Sequence, residues 1–158
     1  MADPIIPSTY QQVIISLRDT VLANPTVRTF RVGPLSSVEL PDRDEVYAIK
    51  YPYVHLLAQP AQIGQGSVLF DFDLIVMDLA DPSDLDKQSR TQSQMLEITR
   101  SIIAKYTKTN WDTWRFNMRL PITSTPFVER FLNDVAGWTS QITIEAVSPL
   151  SNCDNPVA

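Results

Sequence analysis

One cysteine, one histidine and four glycines among 158 residues remove several kinds of protein at once. Cys153 has no second cysteine to pair with, so no intrachain disulfide can form, and the chain fits folding in a reducing cytoplasm. A serine or cysteine nucleophile would have to rely on His55 or on a lysine as its base, and His55 lies in an apolar, strand-like stretch that favours a role in the fold or at its surface. The glycines build no phosphate cradle. The "GQG" of Gly64 to Gly66 runs into a strand rather than a helix and reads as a hairpin turn, and Gly-x-x-x-x-Gly-Lys does not occur. No run of lysine or arginine appears, and 18 acidic against 13 basic residues leave a net charge of -5, which argues against a nucleic-acid-binding face or a membrane-surface patch. The longest apolar run in the middle of the chain, Leu74 to Met77, is far short of a membrane span. The opening "MADPIIPSTY" carries an acid and two prolines where a signal peptide has a cationic start and an apolar segment.

What is present suits a single domain with a substantial core. Ser8 and Gln11 form a capping box, and Tyr10, Val13, Ile14, Leu17 and Val21 recur at helical spacing until Asn24 and Pro25 stop the helix. "VRTFRV", Val27 to Val32, alternates as a strand that Gly33 and Pro34 end. The stretch from Pro41 to Gln65 reads as a strand, an irregular strand and a turn. "SVLFDFDLIVMDL" is the best strand, with Val68, Phe70, Phe72, Leu74 and Val76 on one face and Leu69, Asp71, Asp73, Ile75 and Met77 on the other. Ser83 is the expected N-cap of a long helix from about Asp84 to Tyr106, with Asp86 three residues beyond it. A loop bearing Trp111 and Trp114 should follow, then a strand in which Phe116, Met118 and Leu120 alternate with Arg115, Asn117 and Arg119. Pro126 suits the first position of a short helix with Phe127, Val128, Phe131 and Leu132 on its apolar side. Gly137 is expected to turn a corner in a backbone conformation other residues resist, with Trp138 packed over Phe131 or the preceding strand, and a last strand spans Gln141 to Ala146. The reading is thus an α+β fold, two main helices packed on an antiparallel or mixed β-sheet, in one domain with an extended N-terminal arm (1–7) and a C-terminal tail (150–158).

Two groups of residues invite chemistry or binding. Asp71 and Asp73 share a strand face, and Asp78, Asp81, Asp84 and Asp86 follow closely, a density that would hold Mg²⁺ or Ca²⁺ for a small metal-dependent hydrolase or transferase built on Asp71, Asp73 and Asp78. The competing reading is a solvated or lumen-lining face plus acids at a helix start, and it is favoured because no lysine, histidine or glycine-rich loop nearby completes a phosphoryl-transfer site. Trp111 and Trp114 are either anchors for a protein partner or caps over the core beneath their loop. With Arg115 and Arg119 they form the candidate subunit interface.

The order of elements, with "VLFDFDLIVMDL" leading into the long helix and "ERFLNDVAGWTSQITIEA" near the end, resembles the tail terminator and tail completion proteins of long-tailed bacteriophages. The resemblance spans nearly the whole chain and implies two helices packed on an antiparallel or mixed sheet, in subunits that assemble as a ring at the head-proximal end of the tail tube. It implies a non-enzymatic virion protein assembled in the host cytoplasm, a hexameric ring contacting tail tube and neck proteins, with DNA only as passing cargo and no membrane or cofactor. No individual functional residue carries over. A neck connector or tail tube subunit is the neighbouring alternative.

Overall fold

The computed structural model describes residues 9–34, 49–114, 116–130 and 134–147. The arm, the tail, Ser8, Arg115, Phe131 and Leu132 lie outside the described residues. Among those described, the element order is α1 (Thr9–Leu22), β1 (Thr29–Val32), β2 (Tyr53–Ala58), β3 (Gln62–Ile63), β4 (Ser67–Leu79), α2 (Leu85–Trp114), β5 (Phe116–Met118), β6 (Thr123–Arg130) and β7 (Asp134–Val147). The fold is α+β, with two helices on one seven-stranded mixed sheet of order β1-β2-β4-β7-β5, in which β3 also pairs with β4 and β6 with β7.

The sheet is organised around two long antiparallel strands. β4 pairs with β7 along its whole length, from Ser67↔Val147 to Leu79↔Val135. Each carries two short strands on its outer side: β2 and β3 flank β4, and β5 and β6 flank β7. β1 lies outside β2 and is parallel to it. Both interruptions fall at the same level of the sheet. The last bond before the gap after β2 runs from the Gln59 N–H to Asp71 O (2.8 Å), and its counterpart after β5 runs from the Arg119 N–H to Thr143 O (2.9 Å). Asp71 and Thr143 are themselves partners across β4 and β7. Pro60 and Pro121 stand in the two gaps, where a residue without an N–H cannot extend a ladder.

Alternation decides which face the helices cover. Phe70, Phe72, Leu74 and Val76 of β4 share one core with Val13, Leu17 and Val21 of α1 and Met95, Ile98, Ile102 and Tyr106 of α2. Full burial of each aliphatic side chain is worth roughly 1.5–3 kcal/mol, so these stripes fix the buried face of each helix. A smaller polar contact fixes their mutual register: the Tyr106 hydroxyl donates to Ser16 Oγ (2.8 Å), which donates to Val13 O (2.7 Å), a link worth about 1 kcal/mol.

Several expectations are corrected. α2 runs on to Trp114, so the backbone at Trp111 and Trp114 is helical rather than a loop. No glycine or proline intervenes after Pro82 to end it, and the Thr107 and Thr109 hydroxyls bond back to Ala104 O and Lys105 O within the helix. Its N-cap is Asp84, whose Oδ1 accepts from the Asp86 and Lys87 N–H groups at 3.1 Å each, while Ser83 turns back to Asp81. In place of a short helix at Pro126 stands β6, because β7 supplies a partner for every residue from Thr123 to Arg130 and an edge strand tolerates proline. The predicted first strand begins at Thr29 rather than Val27.

The corner at Gly137 is not found. Gly137 lies within β7, between Met77 and Phe127, and the positive φ belongs instead to Gly33 at +147°. What requires glycine at 137 is proximity: a Cβ there would collide with Val76 O and stand 2.9 Å from Met77 Cα. Trp138 packs on the main core and donates its indole N–H to Gln92 O of α2 (2.7 Å). Gly137→Ala is therefore expected to destabilise the domain by about 1–3 kcal/mol or more through forced separation of β4 and β7. Chemical denaturation measures it, and a variant as stable as the wild type would remove close approach as the reason for this glycine.

Candidate functional site

With both helices on one side, the opposite face of the sheet displays the odd-numbered residues of β4 and β7. This open face has two halves. In one, Tyr53, Ile75, Met77 and Val135 are buried together with Ile49, Tyr51 and Phe127 packed against them. In the other, where the flanking strands are interrupted, a concavity of about 370 Å³ is lined by Gln59, Asp71, Asp73, Gln141 and Thr143, with Phe72 and Ile142 at its floor.

The carboxylates of the polar half are already engaged. Thr143 Oγ1 donates to Asp71 Oδ1 at 2.6 Å, and Gln59 Nε2 donates to Asp73 Oδ2 at 2.9 Å. Arg119 lies just beyond β5 and donates from Nε (3.2 Å) and Nη2 (2.9 Å) to Glu145 Oε2, an exposed ion pair of modest energetic weight. The structure thus joins residues assigned to separate groups. Arg119, a candidate interface residue, and Asp71, a candidate solvent-face residue, meet on opposite sides of Thr143, whose carbonyl holds Arg119 N–H and whose hydroxyl holds Asp71. Trp111 and Trp114 are placed by their backbone at the end of α2, and Arg115 lies outside the described residues.

Asp78 does not join Asp71 and Asp73. Its even number puts it on the helix-covered face, in a separate crevice of about 460 Å³ with Thr26, Pro52, Ser93, Gln94, Met95, Glu97 and Ile98. Burial raises its carboxyl above the ordinary carboxylate range, against the smaller effects of the Leu79 N–H and nearby Arg28. Asp81 is held below that range by the Ser83 hydroxyl and N–H, as befits a turn-forming acid. Asp84 caps α2 and Asp86 pairs with Arg90 at 2.6 Å. Among the described residues, no three histidine, cysteine, aspartate or glutamate side chains are grouped to hold a metal ion. His55 is fully buried, with Nδ1 2.6 Å from the Tyr53 hydroxyl and Nε2 2.7 Å from Gly33 O. It has no free nitrogen to offer a substrate.

Gln59, Gln141, Thr143 and Glu145 belong to this face and were not singled out from the sequence. Their signal lay in two polar stripes, Asp71 with Asp73 and Gln141 with Thr143, that become one patch once β4 is registered against β7. The chain matches no family model and no curated protein. No helix among the described residues is long and apolar enough to cross a membrane.

Asp71→Asn combined with Asp73→Asn keeps both acceptors, so the fold should survive with a loss of at most about 1 kcal/mol per site. Calorimetric titration of both proteins with Mg²⁺ and Ca²⁺ should give no micromolar binding. Micromolar binding by the wild type that disappears in the double variant would restore the metal-enzyme reading. Asp78→Asn should melt higher than the wild type near neutral pH, because it removes a half-buried charge whose folded carboxyl titrates above its unfolded value. The gain should shrink as the pH falls through the raised carboxyl range, and melts recorded from neutral to acid pH check that sign.

Proposed function

We propose that this chain is a structural, non-enzymatic subunit of the virion of a long-tailed bacteriophage, a tail terminator or tail completion protein that closes into a ring between tail tube and neck. The observation that carries the reading is the open sheet face. Among the described residues helices cover one side of the sheet, and the exposed half of the other side presents carboxylates each held by a neighbour, Asp73 by Gln59, Asp71 by Thr143 and Glu145 by Arg119. Such a face, its acids held in place by their neighbours, suits contact with a surface matched in shape and charge better than bond-making chemistry, the partner supplying donors or cations to Asp71 and Asp73, whose own partners are neutral. The two-helix mixed-sheet architecture supports the same reading, being what the resemblance to tail terminators calls for. Six subunits is the number that resemblance supplies. Tail tube and neck proteins are the partners, and DNA passes as cargo along an acidic subunit of net charge -5 that does not retain it.

A surface repeated by rotation must close into a ring or grow as a filament. Mass photometry and negative-stain images of the protein, alone and mixed with tail tubes, should show closed rings or capped tube ends. Persistent monomers that ignore tube ends would remove the proposal, and incorporation along the tube body would identify a tube subunit instead. Trp111→Ala should leave the monomer's melting temperature nearly unchanged while weakening assembly by about 2 kcal/mol, as loss of an aromatic anchor does. Normal assembly of that variant would clear Trp111 of an interface role.

A further inference from the structure

His55, the single histidine of the sequence, sits at the seam between β1 and β2 with no exposed surface. A carbonyl only accepts, so Nε2 carries the ring proton and donates it to Gly33 O, while Nδ1 accepts from the Tyr53 hydroxyl. Burial pushes that phenol up to about 12, so it remains a donor. The imidazole is therefore held neutral in one tautomer.

A second proton has to go onto Nδ1, where it meets a hydroxyl that is already donating. Tyr53 would turn from donor to acceptor, and its own proton, on a side chain with no exposed surface, would lose its acceptor. Nor, among the described residues, does the new charge find a carboxylate in contact with it. Among the described residues, Arg31 of β1 lies directly across the rung and is itself cationic, and Tyr53 stands beside the ring on β2 with Tyr51 against Tyr53 in turn. On β4 the ladder partner is Ile75, and Asp73, two residues further along, is engaged by Gln59. Burial is the largest influence and sets the imidazole below its ordinary 6.5; the Gly33 bond opposes it and Arg31 adds to it.

The seam is also one of the lightly held edges of the sheet. β1 has four residues, none fully buried, and its end is fastened by the Gly33 N–H to Leu56 O (3.1 Å) and by His55 to Gly33 O. β4 and β7 by contrast are paired along thirteen residues. A buried imidazolium reaches water at least cost by lifting this edge. We propose that His55 is a proton-operated latch, whose protonation frees the Gly33 end of β1 and exposes the edge of β2 while the β4–β7 pair and both helices stay folded. The opened form binds the proton more readily than the closed one. Closure is therefore complete above the ordinary histidine value of 6.5 and is lost as the pH falls from there through the lowered value of the fold.

The test is amide hydrogen exchange of the full chain at about pH 7.5 and about pH 5, corrected for intrinsic rates, with the imidazole followed by nitrogen NMR across the same range. On protonation of His55, the Arg31 and Gly33 amides, which point toward β2, should lose protection by roughly tenfold or more relative to amides of β7. His55→Gln, whose amide can donate to Gly33 and accept from Tyr53 without titrating, should hold its protection at both pH values. Parallel loss in β1 and β7 would overturn the latch, as would an imidazole that gains its proton with β1 unchanged or one that stays neutral until the whole domain unfolds. The wild-type titration decides the matter even where the variant does not fold.

Discussion

The pairing of β4 with β7 is the constraint on which the rest of the domain depends. It joins a strand near the middle of the chain to the last strand described, and it places the two apolar stripes of those strands side by side beneath α1 and α2. Its closeness at Val76 and Met77 is what excludes a side chain from position 137. Once that register is set, the flanking strands, the direction of α2 and the split of the open face into apolar and polar halves follow from period-2 alternation. A slip of one residue would bring Asp71 and Asp73 under the helices and turn Phe72 and Leu74 to solvent, so burial energy enforces the register strongly.

Much of this was legible in the sequence where a pattern repeats locally. The stripe of Val13, Leu17 and Val21, the alternation of Ser67 to Leu79, and the stop at Asn24 and Pro25 all correspond to elements of the structure. The misreadings cluster where a distant partner decides. Phe127, Val128 and Pro126 carry a helix-like local signal, but β7 offers eight residues of ladder, and long-range pairing overrides weak local preference. Gly137 and Trp138 look like a turn because glycine is a common punctuator of local structure. The glycine answers instead to the backbone of β4, which no local reading of its neighbours contains.

The candidate site was half legible. Asp71 and Asp73 were found from the sequence on one strand face, and the structure puts them there. Their partners Gln59, Gln141 and Thr143 come from separate strands or loops, and only the sheet register brings them together. Asp78 is only five residues after Asp73, yet an odd spacing along a strand sends it to the other face. The three carboxylates named for a metal site are kept apart by this parity rather than by any shortage of acids.

The coincident gaps holding Pro60 and Pro121 have a mechanical consequence. At the level of Asp71 and Thr143 the sheet narrows to its two central strands plus the Gln59 and Arg119 backbone bonds, while above and below it is wider. That line is a crease. Among the described strands, only β4 and β7 run unbroken from the portion carrying β2 and β6 to the portion carrying β3 and β5, so the twist of these two strands sets how both portions lie on the core they share beneath the helices. The curvature of the sheet is thereby decided at the floor of the polar concavity.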